Sequence, residues 1–361
     1  MTLSDLTQRT SEWLRGIGPM HDVVISSRVR LARNLAGMPF LRKCNAQQQE
    51  DISSRLMREI LSANLAEGMF YVDVAAANPL DRALLAERHL ISRQHADAKY
   101  PRGVAISGDE TVAIMINEED HVRIQVLRSG MQMHDAFEQT NVIDDRLEER
   151  VDFAYSNRYG YLTACPTNVG TGLRVSVMLH LPALRLTGEL DKAVHAARDM
   201  RLAIRGLYGE GTDATGDFFQ ISNQITLGKA EGDIVEEFLT QIVPEILNYE
   251  RKAREALLKH NRVEIDDKIF RALALLRSAR RLASDEMMTL LSLVRLGINL
   301  QRVDDIDLKT VNELFLMGQP AHVQKVHALR RGVEGAAATL NSDERDEVRA
   351  EFLRQRLGGA S

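Results

Sequence analysis

Four stretches of this chain set arginine beside hydroxyls, carboxylates or a thiol. In Ser26-Ser27-Arg28-Val29-Arg30, a strand would send Ser26, Arg28 and Arg30 to one face and Ser27 and Val29 to the other. Two guanidiniums and a hydroxyl on one face make a poor core and a good anion site, because the guanidinium fork matches phosphate oxygens. In Asn117-Glu118-Glu119-Asp120-His121-Val122-Arg123, the same alternation groups Glu119, His121 and Arg123, a possible general base beside a cation. Arg174, Val175, Ser176, Val177 and Met178 form a third such strand, and Cys165-Pro166-Thr167-Asn168-Val169-Gly170-Thr171-Gly172 leads into it. Its glycines let the backbone approach a ligand closely. The fourth stretch, Arg205-Gly206-Leu207-Tyr208-Gly209-Glu210-Gly211-Thr212-Asp213, has the glycine spacing of a loop that closes over phosphates. Each stretch alone has a plain reading: an exposed strand face, a solvated acidic turn, an inert thiol, a surface loop. Four of one design point instead to Arg28, Arg30, Arg123, Arg174 and Arg205 neutralising a triphosphate with Mg²⁺. Phosphoryl transfer asks mainly for such neutralisation and for in-line positioning. The chain has no Walker lysine loop and no protein-kinase HRD or DFG set.

Elements must hold those side chains in place. Period-two β-branched patterns predict strands over 22–31, 111–127 and 172–181, and helical spacing predicts helices over 46–65 and 132–150. From about 231 the pattern becomes helical, over 233–259, 266–282, 285–299, 308–317 and 342–357, with Ser284, Asp307 and Ser342 at N-cap positions. Strict βαβ alternation is absent, so the expected class is α+β: a mostly antiparallel sheet flanked by helices, then a C-terminal helical region. The expected division is a catalytic domain over 1–230 and a mainly helical region over 231–361.

Composition narrows the setting. Of 361 residues, 44% are hydrophobic and 27% charged, as in soluble globular proteins. The net charge of −5 excludes a polybasic nucleic-acid binder. Cys44 and Cys165 form neither a disulfide framework nor a zinc spacing. The N-terminus lacks the apolar run of a signal peptide, and no apolar stretch is long enough to span a bilayer. A cytoplasmic protein, bound neither to membrane nor to nucleic acid, is expected. Among the 46 basic residues 37 are Arg and 9 are Lys. Most of that excess reads as genome composition, so position rather than number decides which arginines matter.

The segments SSRVRLARN (26–34), NEEDHVRI (117–124), CPTNVGTGLR (165–174) and RGLYGEG (205–211), with ISN (221–223) after them, resemble the phosphagen, or ATP:guanido, kinases. These enzymes phosphorylate a guanidinium nitrogen with ATP, and the resemblance runs over roughly residues 20–230. Within the family the chain is similar to the protein arginine kinases. In other members a helical domain that helps enclose a free small guanidine precedes the SSRVR strand, which here begins at residue 26, so the resemblance implies a site open to a side chain on a protein. Tyr208 stands where other members have arginine, and Arg345-Asp346-Glu347-Val348-Arg349-Ala350 matches their RDxxRA motif.

The resemblance implies ATP contacts from Ser26, Ser27, Arg28, Val29, Arg30, His89, Arg123, Arg174 to Met178, and Arg205, Gly206, Leu207, Tyr208, Gly209 and Glu210. It makes Glu119 the catalytic base and Cys165 the reactive thiol, and it puts Asp213 where a second glutamate is usual. Arg345, Asp346, Arg349 and Ala350 would bind phosphoarginine allosterically. It further implies Mg²⁺, protein substrates with exposed arginine, a homodimer or larger assembly, and roles in stress response and protein quality control. The implied partners are a Clp-type unfoldase or protease, a heat-shock repressor and an activating adaptor. The chemistry is consistent: a guanidinium is a poor nucleophile until a base removes a proton, and a second carboxylate can fix its planar fork. A kinase of free guanidines and a non-catalytic phosphoarginine-binding adaptor are the alternatives.

Overall fold

The computed structural model describes residues 3–7, 9–97, 99–207, 215–333 and 339–358. Its centre is an eight-stranded antiparallel sheet in the order β2-β3-β4-β5-β1-β8-β10-β9. The strands are β1 (Val24–Arg33), β2 (Phe70–Asp73), β3 (Gly103–Ile106), β4 (Val112–Ile116), β5 (Val122–Ser129), β8 (Leu173–His180), β9 (Leu202–Arg205) and β10 (Phe218–Asn223). A hairpin of β6 (Tyr155–Ser156) and β7 (Gly160–Tyr161) stands apart.

β1 lies between β5 and β8, and register fixes what shares a face. Arg30 is opposite Gln125 on β5 and Arg174 on β8, while Arg28 is opposite Ser176. Arg123 is opposite Ala32, and Arg205 is opposite Gln220. The five arginines therefore come to one face of the sheet from β5, β1, β8 and β9. The alternate residues Val29, Ile124, Val126, Val175 and Val177 go to the other face and enter a buried apolar cluster. Helices α1 (Ala46–Ser62) and α3 (Met133–Glu148) close that cluster with Ile52, Leu56, Ile60, Ala136, Ile143 and Leu147. A further helix, α2 (Pro79–Glu87), leads into the His89 segment.

The strand expected over 111–127 is instead two, β4 and β5, joined by a tight turn at Asn117, where φ is 57°. The turn breaks the alternation: His121 is buried, takes the amide of Leu35 on Nδ1 (3.1 Å) and bonds the carbonyl of Pro39 through Nε2 (2.9 Å). It does not join Glu119 and Arg123 on one face, as the alternation implied.

The C-terminal helices are α4 (Val243–His260), α5 (Arg262–Ser278), α6 (Ser284–Asn299), α7 (Leu308–Met317), α8 (Pro320–Arg331) and α9 (Ser342–Leu357). Asp307 caps α7 by accepting the amide of Thr310 at 2.7 Å, as expected. Helix α9 is capped by Asn341 rather than Ser342, in a reciprocal capping box with Glu344. Ser284 is the first residue of α6 and not its cap. Helix α8, which the sequence pattern did not reveal, begins at Pro320.

Residue 230 is not where the apolar packing divides. Ile234, Val235, Phe238, Ile246 and Leu247 belong to the cluster under the sheet. A second cluster joins Trp13, Ile25, Leu127, Met178 and Phe218 to residues of α5, α6, α7 and α9.

Candidate active site

A cavity of about 440 Å³ opens on the arginine face. Arg28, Arg30, Arg123, Arg174 and Arg205 line it, with His89, Glu118, Glu119, Cys165 and Leu207. Arg28 donates from Nη2 to Oε1 of Gln220 (2.7 Å) and from Nε to the hydroxyl of Ser176 (3.3 Å). These neutral acceptors fix its fork without cancelling its charge. Burial, and then the charges of Arg174, Arg123 and Arg205, pull the Arg28 guanidinium down to about 9. Burial, and then the charges of Arg28, Arg123 and Arg174, push Arg30 well below the ordinary arginine range, against the opposing pull of Glu118. Cations held against one another in a desolvated site are relieved by a polyanion, which lowers the cost of keeping each one charged.

His89 follows α2 with φ at 58°, a left-handed conformation uncommon for a non-glycine residue. Its carbonyl accepts from Nε2 of Gln125 (2.7 Å), and its ring meets Trp13 edge-on at 4.5 Å between centroids. Burial, then Arg28 and Arg93, depress it to about 3, so the ring facing the site is neutral.

The three acids of the β4–β5 turn have three different tasks. Glu118 binds Nη1 of Arg123 at 2.7 Å and accepts from the hydroxyl of Ser92 (2.6 Å) and the amide of Glu119 (2.7 Å). Burial opposes its ionisation, but Arg123 and these donors prevail and hold it below the usual carboxylate range. Asp120 accepts from Nδ2 of Asn34 (2.7 Å) and from the amide of Ala164 (2.6 Å), which ties the turn to the residue before Cys165. Glu119 has one long contact, 3.3 Å to Nη2 of Arg123, and is 24% exposed into the cavity. Desolvation raises its pKa; Arg123 opposes this, and Asp120 and Glu118 add to it. A carboxylate raised toward neutrality and only loosely paired has the properties of a general base.

Cys165 begins a short 3₁₀ turn, Pro166–Asn168, and its Sγ lies 3.0 Å from Oγ1 of Thr167. Gly172 brings this loop onto β1: with φ at 68°, a Cβ there would come within 2.6 Å of the carbonyl oxygen of Ala32.

Not every residue implied by the sequence reaches the cavity. Val29, Val175 and Val177 lie in the core beneath the sheet, and the Ser27 hydroxyl donates to the carbonyl of Gly130 at 2.8 Å. Ser26, Ser176 and Met178 are on the arginine face but line a smaller adjoining space beside Trp13. Gly206 directly follows β9. Tyr208, Gly209, Glu210 and Asp213 lie outside the described residues. Sequence reasoning missed Gln125, Gln220, Ser92 and the pairing role of Glu118. Gln125 was within reach, two residues beyond Arg123 on the same strand.

On α9, Arg345 and Asp346 are partly exposed and Ala350 is buried. Arg349 is 1% exposed and is engaged internally: it donates to the carbonyls of Gly318 and Leu282, both at 2.7 Å, and to Asp346 at 2.6 Å. The two arginines therefore do not share one open face, as their i, i+4 spacing suggested. Among the described residues no group of three or more His, Cys, Asp or Glu is arranged to hold a metal ion. No described helix is long and apolar enough to cross a membrane.

Residues 51–253 match the model of the ATP:guanido phosphotransferase C-terminal catalytic domain. The chain belongs to the ATP:guanido phosphotransferase family. Residues 262–361 match the protein-arginine kinase McsB C-terminal domain, which places it on that branch of the family. The protein-arginine kinase of Halothermothrix orenii is 42% identical over 361 residues, covering 99% of each chain. That of Symbiobacterium thermophilum is 45% identical over the same length and coverage. Among solved structures, the duplicated taurocyamine kinase of Schistosoma mansoni with bound transition-state-analogue components matches with a TM-score of 0.57 and 25% identity. The match covers 65% of this chain and 34% of that one. A lombricine kinase matches with a TM-score of 0.53 and 28% identity, covering 63% of this chain and 66% of that one. The arginine-faced antiparallel sheet is thus the catalytic core of a guanidino phosphotransferase, and the chain is a phosphotransferase with a nitrogenous acceptor.

Proposed function

We propose that this phosphotransferase moves the γ-phosphoryl group of ATP to the guanidinium of arginine side chains in proteins. The observation that carries the reading is the pairing within the β4–β5 turn: Glu118 neutralises Arg123, which leaves Glu119 loosely held with a raised pKa at the cavity wall. As a P–N bond forms and the bond from phosphorus to the ADP oxygen breaks, Glu119 accepts the proton lost by the attacking nitrogen. Arg28, Arg30, Arg123, Arg174 and Arg205 hold the phosphates, and neutral His89 faces the nucleotide without adding repulsion. Mg²⁺ bound with ATP would supply further charge neutralisation of the phosphates; such an ion keeps several waters and asks for few protein ligands. Cys165 and Asp213 are assigned to the guanidinium.

Full-length similarity to protein-arginine kinases supports a protein substrate. The matched taurocyamine and lombricine kinases motivate the second reading, a kinase of small free guanidines. Incubation with ATP, casein and free arginine separates them by mass spectrometry. Phosphoarginine in casein supports the first reading, and phosphorylated free arginine beside unmodified casein overturns it.

The finer parts of the proposal rest on the match of the C-terminal region. Phosphoarginine binds at Arg345, Asp346, Arg349 and Ala350 and regulates the kinase. The protein acts in the cytoplasm in stress response and protein quality control, as a dimer or larger assembly. Its partners are a Clp-type unfoldase or protease, a heat-shock repressor and an activating adaptor.

A further inference from the structure

The loop that carries Cys165 into the cavity is tied down at both ends. At its entry Asp120 accepts the amide of Ala164, and the hydroxyl of Thr163 donates to the carbonyl of Cys165 itself at 2.8 Å. At its exit the buried guanidinium of Arg33 donates from Nη1 to the carbonyl of Thr171 at 2.8 Å. Arg33 is itself held by Asp144 at 2.6 Å and lies 3.5 Å above the ring of Tyr161.

Between these ends the loop leans on Thr226, three residues beyond β10. The carbonyl of Thr226 accepts the amide of Thr171 at 3.2 Å. Its hydroxyl donates toward the carbonyls of Thr167 (2.9 Å) and Val169 (2.7 Å). One proton serves both, a three-centre bond. Gly170, with φ at 110°, permits the approach: a Cβ there would come within 2.5 Å of the Thr226 carbonyl oxygen. Asn223 sets the chain for this contact. Its side-chain amide donates to the carbonyls of Ile225 (3.1 Å) and Leu173 (3.2 Å), and its Oδ1 accepts the amide of Val175 (2.9 Å). The residues just before Thr226 are thereby tied to β8. Thr226 is buried and is not one of the residues lining the cavity. Thr167 does line it, and its Oγ1 lies 3.0 Å from Sγ of Cys165. The buried hydroxyl thus holds the main chain of the residue whose own hydroxyl meets the thiol.

We propose that Thr226 is a positioning residue for phosphoryl transfer: through Thr167 it sets where Cys165 stands against the acceptor guanidinium. Thr226 touches neither ATP nor the acceptor and acts through the loop. The inference rests on the proposed function in one respect, the assignment of Cys165 to the guanidinium. Displacement of about 1 Å in such a site can cost roughly 100-fold in rate. A loop that leaves its place also exposes the thiol, and modification of a thiol follows its access.

The test compares Thr226→Val, which keeps the shape and loses the hydroxyl, with Thr226→Ser, which keeps the hydroxyl. In the valine variant, kcat/KM for casein is expected to fall roughly 10- to 100-fold with KM for ATP within about twofold. The serine variant should recover most of the loss. Alkylation by iodoacetamide without ATP, read by peptide mass spectrometry, follows the thiol directly. Cys165 should react faster in the valine variant, while Cys44, which donates to the carbonyl of Pro39 at 3.1 Å, keeps its wild-type rate as the internal reference. Wild-type kcat/KM in Thr226→Val, an unchanged Cys165 rate, equal quickening of both thiols, or no recovery with serine overturns the inference. Should Thr226→Val not fold, Thr167→Val, at an exposed position, removes the last link. The same loss and the same faster alkylation are then expected, and wild-type values overturn the inference. A wild-type enzyme that forms no phosphoarginine overturns the proposed function instead, and alkylation, which needs no turnover, then decides on Thr226 alone.

Discussion

At the scale of single residues, neighbouring groups of the same type have unlike environments. Glu118 and Glu119 adjoin in sequence, yet one is held low by Arg123 and Ser92 and the other is raised by desolvation. Because a base must be deprotonated, the rate should fall as pH drops through the raised pKa of Glu119. The acid limb of kcat/KM is therefore expected above the ordinary glutamate value of about 4.3, and it should vanish in Glu119→Gln. An unchanged acid limb in that variant would assign the base elsewhere. Arg28→Lys should raise KM for ATP roughly tenfold, since lysine loses the fork that now spans Ser176 and Gln220; nucleotide titration of the folded variant checks this. Residue types and period-two spacing made Arg28, Arg30, Arg123 and Arg174 legible. The division of labour among Glu118, Glu119 and Asp120 was not, because it depends on Ser92, Asn34 and Ala164, each distant in sequence.

At the scale of elements, β1 shows how far alternation reaches. Its two faces separated as expected, and register against β5 and β8 then brought Arg30 beside Gln125 and Arg174. Alternation failed at 117–121, where the left-handed Asn117 turned one expected strand into a hairpin and sent His121 inward. Helix α8 escaped notice because its start depends on a tertiary cap: the amides of Ala321 and His322 bond the carboxylate of Glu87, at 2.7 and 3.1 Å. Helix α9 gives a prediction that separates stability from binding. Arg349→Ala strands the buried carbonyls of Gly318 and Leu282, and should cost about 2–4 kcal/mol in a denaturant melt. Arg345→Ala, at a partly exposed position, should leave the melt nearly unchanged while weakening phosphoarginine binding, read by calorimetry. Equal destabilisation by both would remove this distinction.

At the scale of the whole molecule, the C-terminal helices and the sheet share their cores. Arg295 on α6 holds the carbonyls of His21 (2.7 Å) and Asp22 (3.0 Å) just before β1, and Glu87, two residues before His89, caps α8. A compositional change near 231 was visible in the sequence, but not the packing across it, since helical periodicity does not name the surface a helix covers. Residues 1–230 alone should consequently show no cooperative thermal transition, as Ile25, Leu127 and Phe218 would lose their cover; a sharp melt by circular dichroism would contradict this. The central claim is that the arginine-lined cavity transfers phosphate to arginine in proteins with Glu119 as base. The most direct test is phosphoarginine mass spectrometry of casein incubated with ATP and Mg²⁺, under non-acidic handling because the P–N bond is acid-labile. Wild type is expected to give phosphoarginine, and Glu119→Gln roughly 100-fold less or lower still; equal phosphorylation by the two, or none by wild type, would contradict the account.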